Sequence, residues 1–96
     1  METRITARHF DLTDEIKGYA DKRMASLDKY EEFIHSPHLI LEVEKHRHIS
    51  ELTLNVSGQQ LVAHSITNDI YTSIDETTDK MERQLQKFHD KAKDHK

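Results

Sequence analysis

Residues 38–66 read HLILEVEKHRHISELTLNVSGQQLVAHSI, and this stretch decides the fold. Apolar residues recur at every second position in three runs, and this period predicts β-strands with one buried face. The predicted strands are His38–Lys45, Glu51–Val56 and Gln60–Ile66. Their inward side chains are expected to be Leu39, Leu41, Val43, Leu52, Leu54, Val56, Leu61, Ala63 and Ser65. A basic hairpin tip, Lys45-His46-Arg47-His48, joins the first two strands, and a turn at Ser57-Gly58 joins the next two, because glycine readily adopts a positive φ.

The residues before this stretch predict one more strand and a helix. Thr3–Arg8 alternates in the same way and predicts a first strand. Thr13 can N-cap the helix through its hydroxyl oxygen. Asp14 and Glu15 then lie in the first turn, where the helix dipole favours acidic residues. Apolar residues at helical spacing carry this helix to Tyr30, namely Ile16, Tyr19, Ala20, Met24, Leu27 and Tyr30. Ser36-Pro37 interrupts the chain before the next strand.

A second amphipathic helix is predicted from Asp69 to about Lys91. Asn68-Asp69 offers its N-cap. Its apolar stripe is Ile70, Ile74, Met81, Leu85 and Phe88. Residues 92–96 are mostly charged and are expected to fray.

The resulting order, β-α-β-β-β-α, predicts an α+β fold. It is a two-layer sandwich in which both helices cover one face of a four-stranded sheet. The first two strands should be parallel, because a helix connects them. The other face is expected to carry Thr6, Ile40, Thr53, Val62 and Ile66, a mixed surface that is open or meets a partner. With 96 residues, the chain is expected to form one domain, 1–96.

The composition argues against several classes of protein. The absence of cysteine excludes a disulfide framework and a thiol nucleophile. No apolar run approaches the roughly 20 residues that span a bilayer, and residues 1–10 lack the apolar core of a signal peptide. We therefore expect a cytoplasmic protein with no membrane partner. The net charge of −4, taken alone, counts against nucleic-acid binding, because such binding needs local positive charge, so the positions of the charges matter.

Both predicted helices separate their basic residues from their acidic ones. Steps of about 100° per residue place a basic stripe along one exposed flank of the last helix, consisting of Lys80, Arg83, Lys87 and Lys91. The acidic flank of that helix is Asp75, Asp79, Glu82 and Asp90, and the first helix has basic residues at Lys22, Arg23 and Lys29. If the helices pack side by side, their basic flanks are expected to join near Lys45 and Arg47 into a surface for an anionic polymer. Mixed charges are also common on solvated helices, so charge alone leaves RNA binding open.

Other candidate chemistry has less support in the sequence. Four of the eight histidines lie close together along the chain, namely His35, His38, His46 and His48. A zinc site needs about four converging ligands, or three and a water molecule. Because no cysteine contributes and no H-E-x-x-H helix is present, surface or loop histidines and no metal are predicted. Carboxylate pairs such as Asp75/Asp79 lie on predicted solvated faces, whereas catalytic carboxylates need a pocket that shifts their pKa. We predict no enzyme, no catalytic residue, no cofactor and no small-molecule substrate.

The chain resembles the bacterial ribosome hibernation-promoting factor family, which includes the short hibernation-promoting factor and the related ribosome-associated inhibitor. The similarity covers essentially the whole chain. Asn68–Asp75 is similar to the family's D-M-Y-x-A-I-D/N segment, and Asp79–Leu85 is similar to its D-K-L-x-R-Q-L segment. Ile5–Arg8, Leu27–Tyr30 and Val43–Lys45 also match. The joint match, in order and at the right spacing, makes the resemblance specific.

The resemblance implies the same β-α-β-β-β-α fold, similar to a double-stranded-RNA-binding domain. It implies that the domain binds 16S rRNA in the decoding groove of the small ribosomal subunit, over the A and P sites. There it blocks transfer RNA and messenger RNA and silences ribosomes in stationary phase or stress. The basic residues that the resemblance implies at this interface are Lys22, Arg23, Lys29, Lys45, Lys80, Arg83, Lys87 and Lys91, and the hairpin tip adds Arg47.

The branch of the family stays open. Ser36-Pro37-His38 is more like the inhibitor, yet the chain stops at Lys96 without that branch's longer tail. Its length is closest to the short form, which promotes 100S dimers together with ribosome modulation factor, a candidate further partner. Thr77 and Thr78 stand where the family is more apolar, which predicts weaker packing. The alternative function is a protein-interaction module that uses the open sheet face, with RNA binding incidental.

Overall fold

The computed structural model describes residues 1–93, with side chains as far as Asp90. The elements are β1 (Arg4–Arg8), α1 (Asp14–Ala25), a 3₁₀ turn (Asp28–Tyr30), β2 (His35–Glu44), β3 (Arg47–Val56), β4 (Gln59–Thr67) and α2 (Ile70–Lys93). The predicted α+β order is confirmed. Most of the tail predicted to fray, residues 94–96, lies outside the described residues. No helix in the described part is both long and apolar enough to cross a membrane.

The four strands form one mixed sheet in the order β1-β2-β3-β4. β1 is parallel to β2, as predicted for two strands that a helix connects, and the other two pairs are antiparallel. Arg8 at the end of β1 pairs with Glu42, and Thr67 at the end of β4 pairs with His48. Both helices therefore begin at the end of the sheet that holds the β2–β3 hairpin, and they run in the same direction.

The core lies between the sheet and the two helices. The predicted inward leucines of β2 and β3 are buried together with Val56, whereas Val43 is only partly buried. They pack with residues of both helices, among them Ala20, Met24, Ile74, Met81 and Leu85. Burial of a leucine or methionine side chain contributes about 1.5–3 kcal/mol. Tyr19 of α1 packs edge-on against Tyr71 of α2, with ring centroids 5.1 Å apart. This contact places the helices side by side on one face of the sheet.

The two threonines that depart from the family pattern are buried and hydrogen-bonded. The Thr77 hydroxyl donates to the carbonyl of Ser50 at 3.1 Å, and the Thr78 hydroxyl donates to the carbonyl of Ile74 at 2.8 Å. Because both hydroxyls have acceptors, they avoid most of the cost of an unsatisfied buried polar group.

The first helix is shorter than its apolar stripe predicts. α1 ends at Ala25 rather than at Tyr30, because the Ser26 hydroxyl donates to the carbonyl of Arg23 at 2.6 Å and the chain then turns. Leu27 and Tyr30 still reach the core, from the turn and from the 3₁₀ segment. The predicted core residues are therefore right, although the predicted element is wrong at its end.

The strands around the first hairpin are longer than predicted. β2 begins at His35 rather than His38, and an irregularity in its pairing between these residues accommodates Pro37. The predicted four-residue tip is wrong, because Arg47 pairs with Glu44 and only Lys45-His46 form the turn. Pairing of β3 with strands on both sides extends it to Arg47, well before the predicted start at Glu51.

Candidate nucleic-acid interface

The start of α2 is set by Asp69, as the sequence predicted. The Asp69 carboxylate accepts hydrogen bonds from the hydroxyl of Thr72 at 2.8 Å and from its backbone N–H at 3.0 Å. These bonds favour the ionised form and lower the pKa of Asp69, the hydroxyl contributing most. One residue further on, the Ser73 hydroxyl donates to the carbonyl of His48 at 2.6 Å. The first turn of α2 is thereby anchored to β3.

The outer ridge of α2, defined here as Lys80, Arg83 and Lys87, is exposed along the helix. The Arg83 side chain reaches only the carbonyl of Asp79 in its own helix, at 3.4 Å. Neither Arg83 nor Lys87 forms an ion pair with another described side chain. Lys80 differs, because its ammonium donates to the carbonyl of His64 in β4 at 2.9 Å. Two of the three cations are thus available to an external anion.

The acidic flank of α2 lies against α1. The Nε atom of Arg23 lies 2.9 Å from Oδ1 of Asp75, and its terminal nitrogen donates to Asp79 at 2.8 Å. The Nζ atom of Lys29 lies 3.6 Å from a carboxylate oxygen of Glu82. The prediction that the basic flanks of the two helices join is therefore wrong. Two parallel helices with the same charge segregation place the basic flank of one beside the acidic flank of the other.

Tyr19 completes this network between the helices. Its hydroxyl donates to Oδ1 of Asp75 at 2.6 Å. This hydrogen bond raises the pKa of Tyr19, and desolvation of the phenol adds to the effect. Asp75 thus holds both Tyr19 and Arg23, so the carboxylate pair Asp75/Asp79 joins α1 to α2.

The remaining predicted basic residues are spread over two parts of the surface. Lys22 is exposed on α1, and Lys45 and Arg47 are exposed at the β2–β3 hairpin. None of these three forms an ion pair with the described side chains. Lys91 belongs to α2, but its side chain lies outside the described residues.

The histidines are dispersed over the fold. His46 is exposed in the hairpin turn, whereas His48 is half-buried in β3. The Nε2 atom of His38 is 2.8 Å from the hydroxyl of Thr6 on the neighbouring strand. Within the described part of the chain, no three histidine, aspartate or glutamate side chains converge as metal ligands would.

Two contacts of α2 are not visible in the sequence pattern. The Gln84 side-chain amide donates to the carbonyl of Val62 in β4 at 2.9 Å. The His89 ring packs edge-on against Tyr30 and Phe33, with centroids 6.2 and 6.0 Å away. The spacing of Lys80 and Gln84, four residues apart, places them on one flank, but the sequence does not say which strand that flank meets.

These features define a class of protein: a four-stranded mixed sheet covered on one face by two parallel helices, with free cations on the outer ridge and at the hairpin. Residues 3–93 match the family described as Sigma 54 modulation protein / S30EA ribosomal protein. The chain belongs to this family.

Relatives of known name match over most or all of their length. Proteins named ribosome hibernation promoting factor are 36% identical in Salmonella typhimurium and 35% identical in Escherichia coli K12, over 95 residues in each case. Each alignment covers 99% of this chain and 100% of the relative. The protein of the same name from Azotobacter vinelandii is 35% identical over 91 residues, which cover 95% of this chain and 85% of the relative.

Solved structures share the fold. A ribosomal subunit interface protein from Coxiella burnetii superposes with a TM-score of 0.85 at 21% identity, over 93% of this chain and 98% of that one. The N-terminal domain of Thermus thermophilus Protein Y superposes with a TM-score of 0.80 at 25% identity, over 88% and 94% of the two chains. The four-stranded sheet with two helices is therefore shared with these proteins.

Proposed function

We propose that the chain is a ribosome-associated translation inhibitor that binds the small subunit in the decoding region. It contacts 16S rRNA over the A and P sites and excludes transfer RNA and messenger RNA, which silences ribosomes in stationary phase or stress. It acts by occupancy in the cytoplasm, without catalysis or a cofactor. The full-length similarity to proteins named ribosome hibernation promoting factor supports this function.

The observation that carries the proposal is the pair of free cations on the outer ridge. Arg83 and Lys87 are four residues apart on one helix, exposed, and without an acidic partner among the described side chains. Such cations bind phosphates at little cost, because no internal ion pair has to be broken first. Lys22, Lys45 and Arg47 extend the contact, while the shape of the RNA groove supplies specificity.

Co-sedimentation with 30S subunits tests this proposal. The variant Arg83→Glu with Lys87→Glu is expected to lose more than about tenfold in affinity, because two phosphate contacts become repulsions. Its fold should survive, since both side chains are exposed and neither forms a hydrogen bond or ion pair with another element of the described structure.

The matched control is Arg4→Glu with Lys17→Glu, which changes the net charge by the same amount away from the outer ridge. This variant is expected to sediment with 30S subunits nearly as well as the unaltered chain. Equal binding of the ridge variant and the control at moderate salt would overturn the proposal.

The effect on ribosome dimers is a second, separable part of the proposal. The short form of the family pairs ribosomes into 100S particles with ribosome modulation factor, whereas an inhibitor leaves single 70S particles. Sucrose gradients of 70S ribosomes incubated with the chain, with and without modulation factor, distinguish the two. A 100S peak that requires both proteins identifies the short form.

A second candidate function is a protein-interaction module on the open sheet face. It is favoured by two exposed apolar side chains, Val62 at 46% and Ile66 at 45% exposure. Salt separates the two functions, because RNA binding weakens steeply as salt rises and an apolar contact does not.

A further inference from the structure

The outer edge of β4 directs backbone groups away from the sheet. Ser57 and Gly58 both have positive φ, 49° and 78°, as in the two-residue turn that places Val56 opposite Gln59. In such a hairpin the residues that flank the turn are hydrogen-bonded to each other, and every second residue after them faces outward. The outward residues of β4 are therefore Gln60, Val62, His64 and Ile66.

Two of the outward carbonyls are occupied by side chains from α2. Lys80 donates to the carbonyl of His64 and Gln84 donates to the carbonyl of Val62, each at 2.9 Å. The spacing of the two donors on α2 matches that of the two acceptors on β4. Lys80 and Gln84 are four residues apart and lie in one row of the helix. Val62 and His64 are two residues apart, so their carbonyls face the same way. The two side chains thus close the middle of the edge.

β4 itself has none of the features that usually protect an edge strand. Its sequence, QQLVAHSIT, contains no proline and no lysine, arginine, aspartate or glutamate. Val62 and Ile66 are exposed beside the outward backbone groups. An uncharged edge with exposed apolar side chains is a template for the addition of another strand. The protection of this edge therefore depends on α2.

We propose that the outer edge of β4 is a strand-pairing surface that fits β4 of a second copy of this chain, and that Lys80 and Gln84 keep it closed. Antiparallel pairing about a two-fold axis at Ala63 brings Val62 of each copy opposite His64 of the other, and Gln60 opposite Ile66. The same strand edge, which carries no lysine, arginine, aspartate or glutamate of its own, then serves on both sides, as a symmetric interface requires. This role is independent of RNA binding. It assigns Lys80 first to the protection of the β4 edge and only second to a contact with phosphate.

The test uses the open-edge variant, Lys80→Ala with Gln84→Ala, which removes the two side chains that cover the outward carbonyls of β4. Alanine is a good helix former, so α2 should be retained. Light scattering after size exclusion, over a range of concentrations, is expected to show this variant at twice the monomer mass. Amide exchange at Val62 and His64 should slow in the dimer, because their N–H groups acquire partners. Far-UV circular dichroism checks that the monomer fold is retained, and Gln84→Ala alone is a milder second variant.

The matched control is Arg83→Ala with Gln86→Ala, which likewise removes one cation and one glutamine, here from the exposed side of the same helix. It is expected to have the mass of the unaltered chain. Adding His64→Pro to the open-edge variant should restore the monomer, since proline blocks the outward edge without removing a bond to β3. Two results would overturn the proposal. One is that the folded open-edge variant and Gln84→Ala both keep the mass and the amide exchange rates of the unaltered chain. The other is that a dimer forms and His64→Pro leaves it intact.

Discussion

Asp69 shows how one side chain connects local structure to the stability of the whole chain. Its carboxylate caps α2 through two bonds to Thr72, and the adjoining turn is tied to β3 through Ser73. Because these bonds favour the ionised carboxylate, they lower the pKa of Asp69 below its ordinary value of 3.8. The cap is therefore strongest when Asp69 is charged.

Acid should weaken this cap in a predictable range. The contribution of Asp69 is fully present above its unfolded pKa, near 3.8, and is lost as pH falls through its lower folded value. Asp69→Asn keeps a capping oxygen without the charge, so the difference in unfolding free energy between the two chains should shrink below about pH 4. Urea unfolding across pH measures this difference. Asp69→Ala should cost about 1 kcal/mol at neutral pH, and a difference that stays constant down to pH 2 would contradict the assignment.

At the scale of elements, the two helices are stabilised in different ways. α2 has the longer buried stripe, with Ile70, Ile74, Met81 and Leu85 against the sheet. α1 has only twelve residues and buries Ala20 and Met24. It also contains an exposed glycine in its interior, which lowers its helix propensity. α1 is therefore the element that local substitutions can improve.

Gly18→Ala is expected to raise the free energy of unfolding by about 0.5–1 kcal/mol, because alanine has the higher helix propensity. A Cβ atom at this position meets no atom within 4 Å. The matched control is Gly58→Ala, which also meets no atom but must adopt φ +78° in the β3–β4 turn. That substitution is expected to destabilise the chain by about 1 kcal/mol. Thermal or urea unfolding of both variants checks the opposite signs.

At the scale of the whole molecule, the direction of the helices decides which charges are free. Because α1 and α2 are parallel, Arg23 of α1 and Lys29 of the following 3₁₀ turn lie against the acidic flank of α2, namely Asp75, Asp79 and Glu82. The Arg23 side chain is only 27% exposed. Arg83 and Lys87 on the outer ridge, by contrast, have no acidic partner among the described side chains. A protein of net charge −4 thus carries exposed cations that no internal carboxylate neutralises, as the proposed binding of RNA requires.

This layout predicts unequal effects of two lysines on ribosome binding. Lys87→Gln should lower the slope of log affinity against log salt by about 1, because one phosphate contact is lost. Lys29→Gln should change the slope by much less, since Lys29 is already paired with Glu82. Filter binding or sedimentation with 30S subunits at several salt concentrations measures both slopes. Equal slopes for the two variants would show that the ion pair between the helices does not persist in the complex.

The local pattern of the sequence was sufficient for the elements and the core. The alternation in residues 38–66 predicted three strands with Leu39, Leu41, Leu52, Leu54 and Val56 inward, and all five are buried. Asn68-Asp69 was predicted to supply the cap of α2, and Asp69 is the residue that does so. These features depend on neighbouring residues along the chain, because strand and helix periods and capping bonds span only a few positions.

The tertiary structure alone decided where elements end and which groups meet. α1 stops at Ala25 although its apolar spacing continues to Tyr30, and β3 reaches Arg47 because strands on both sides pair with it. The partners of Arg23 and Lys80 depend on the parallel direction of the helices and on β4 being at the edge of the sheet. Helix direction and strand order are relations between distant parts of the chain, so a local period of 2 or 3.6 residues carries no information about them.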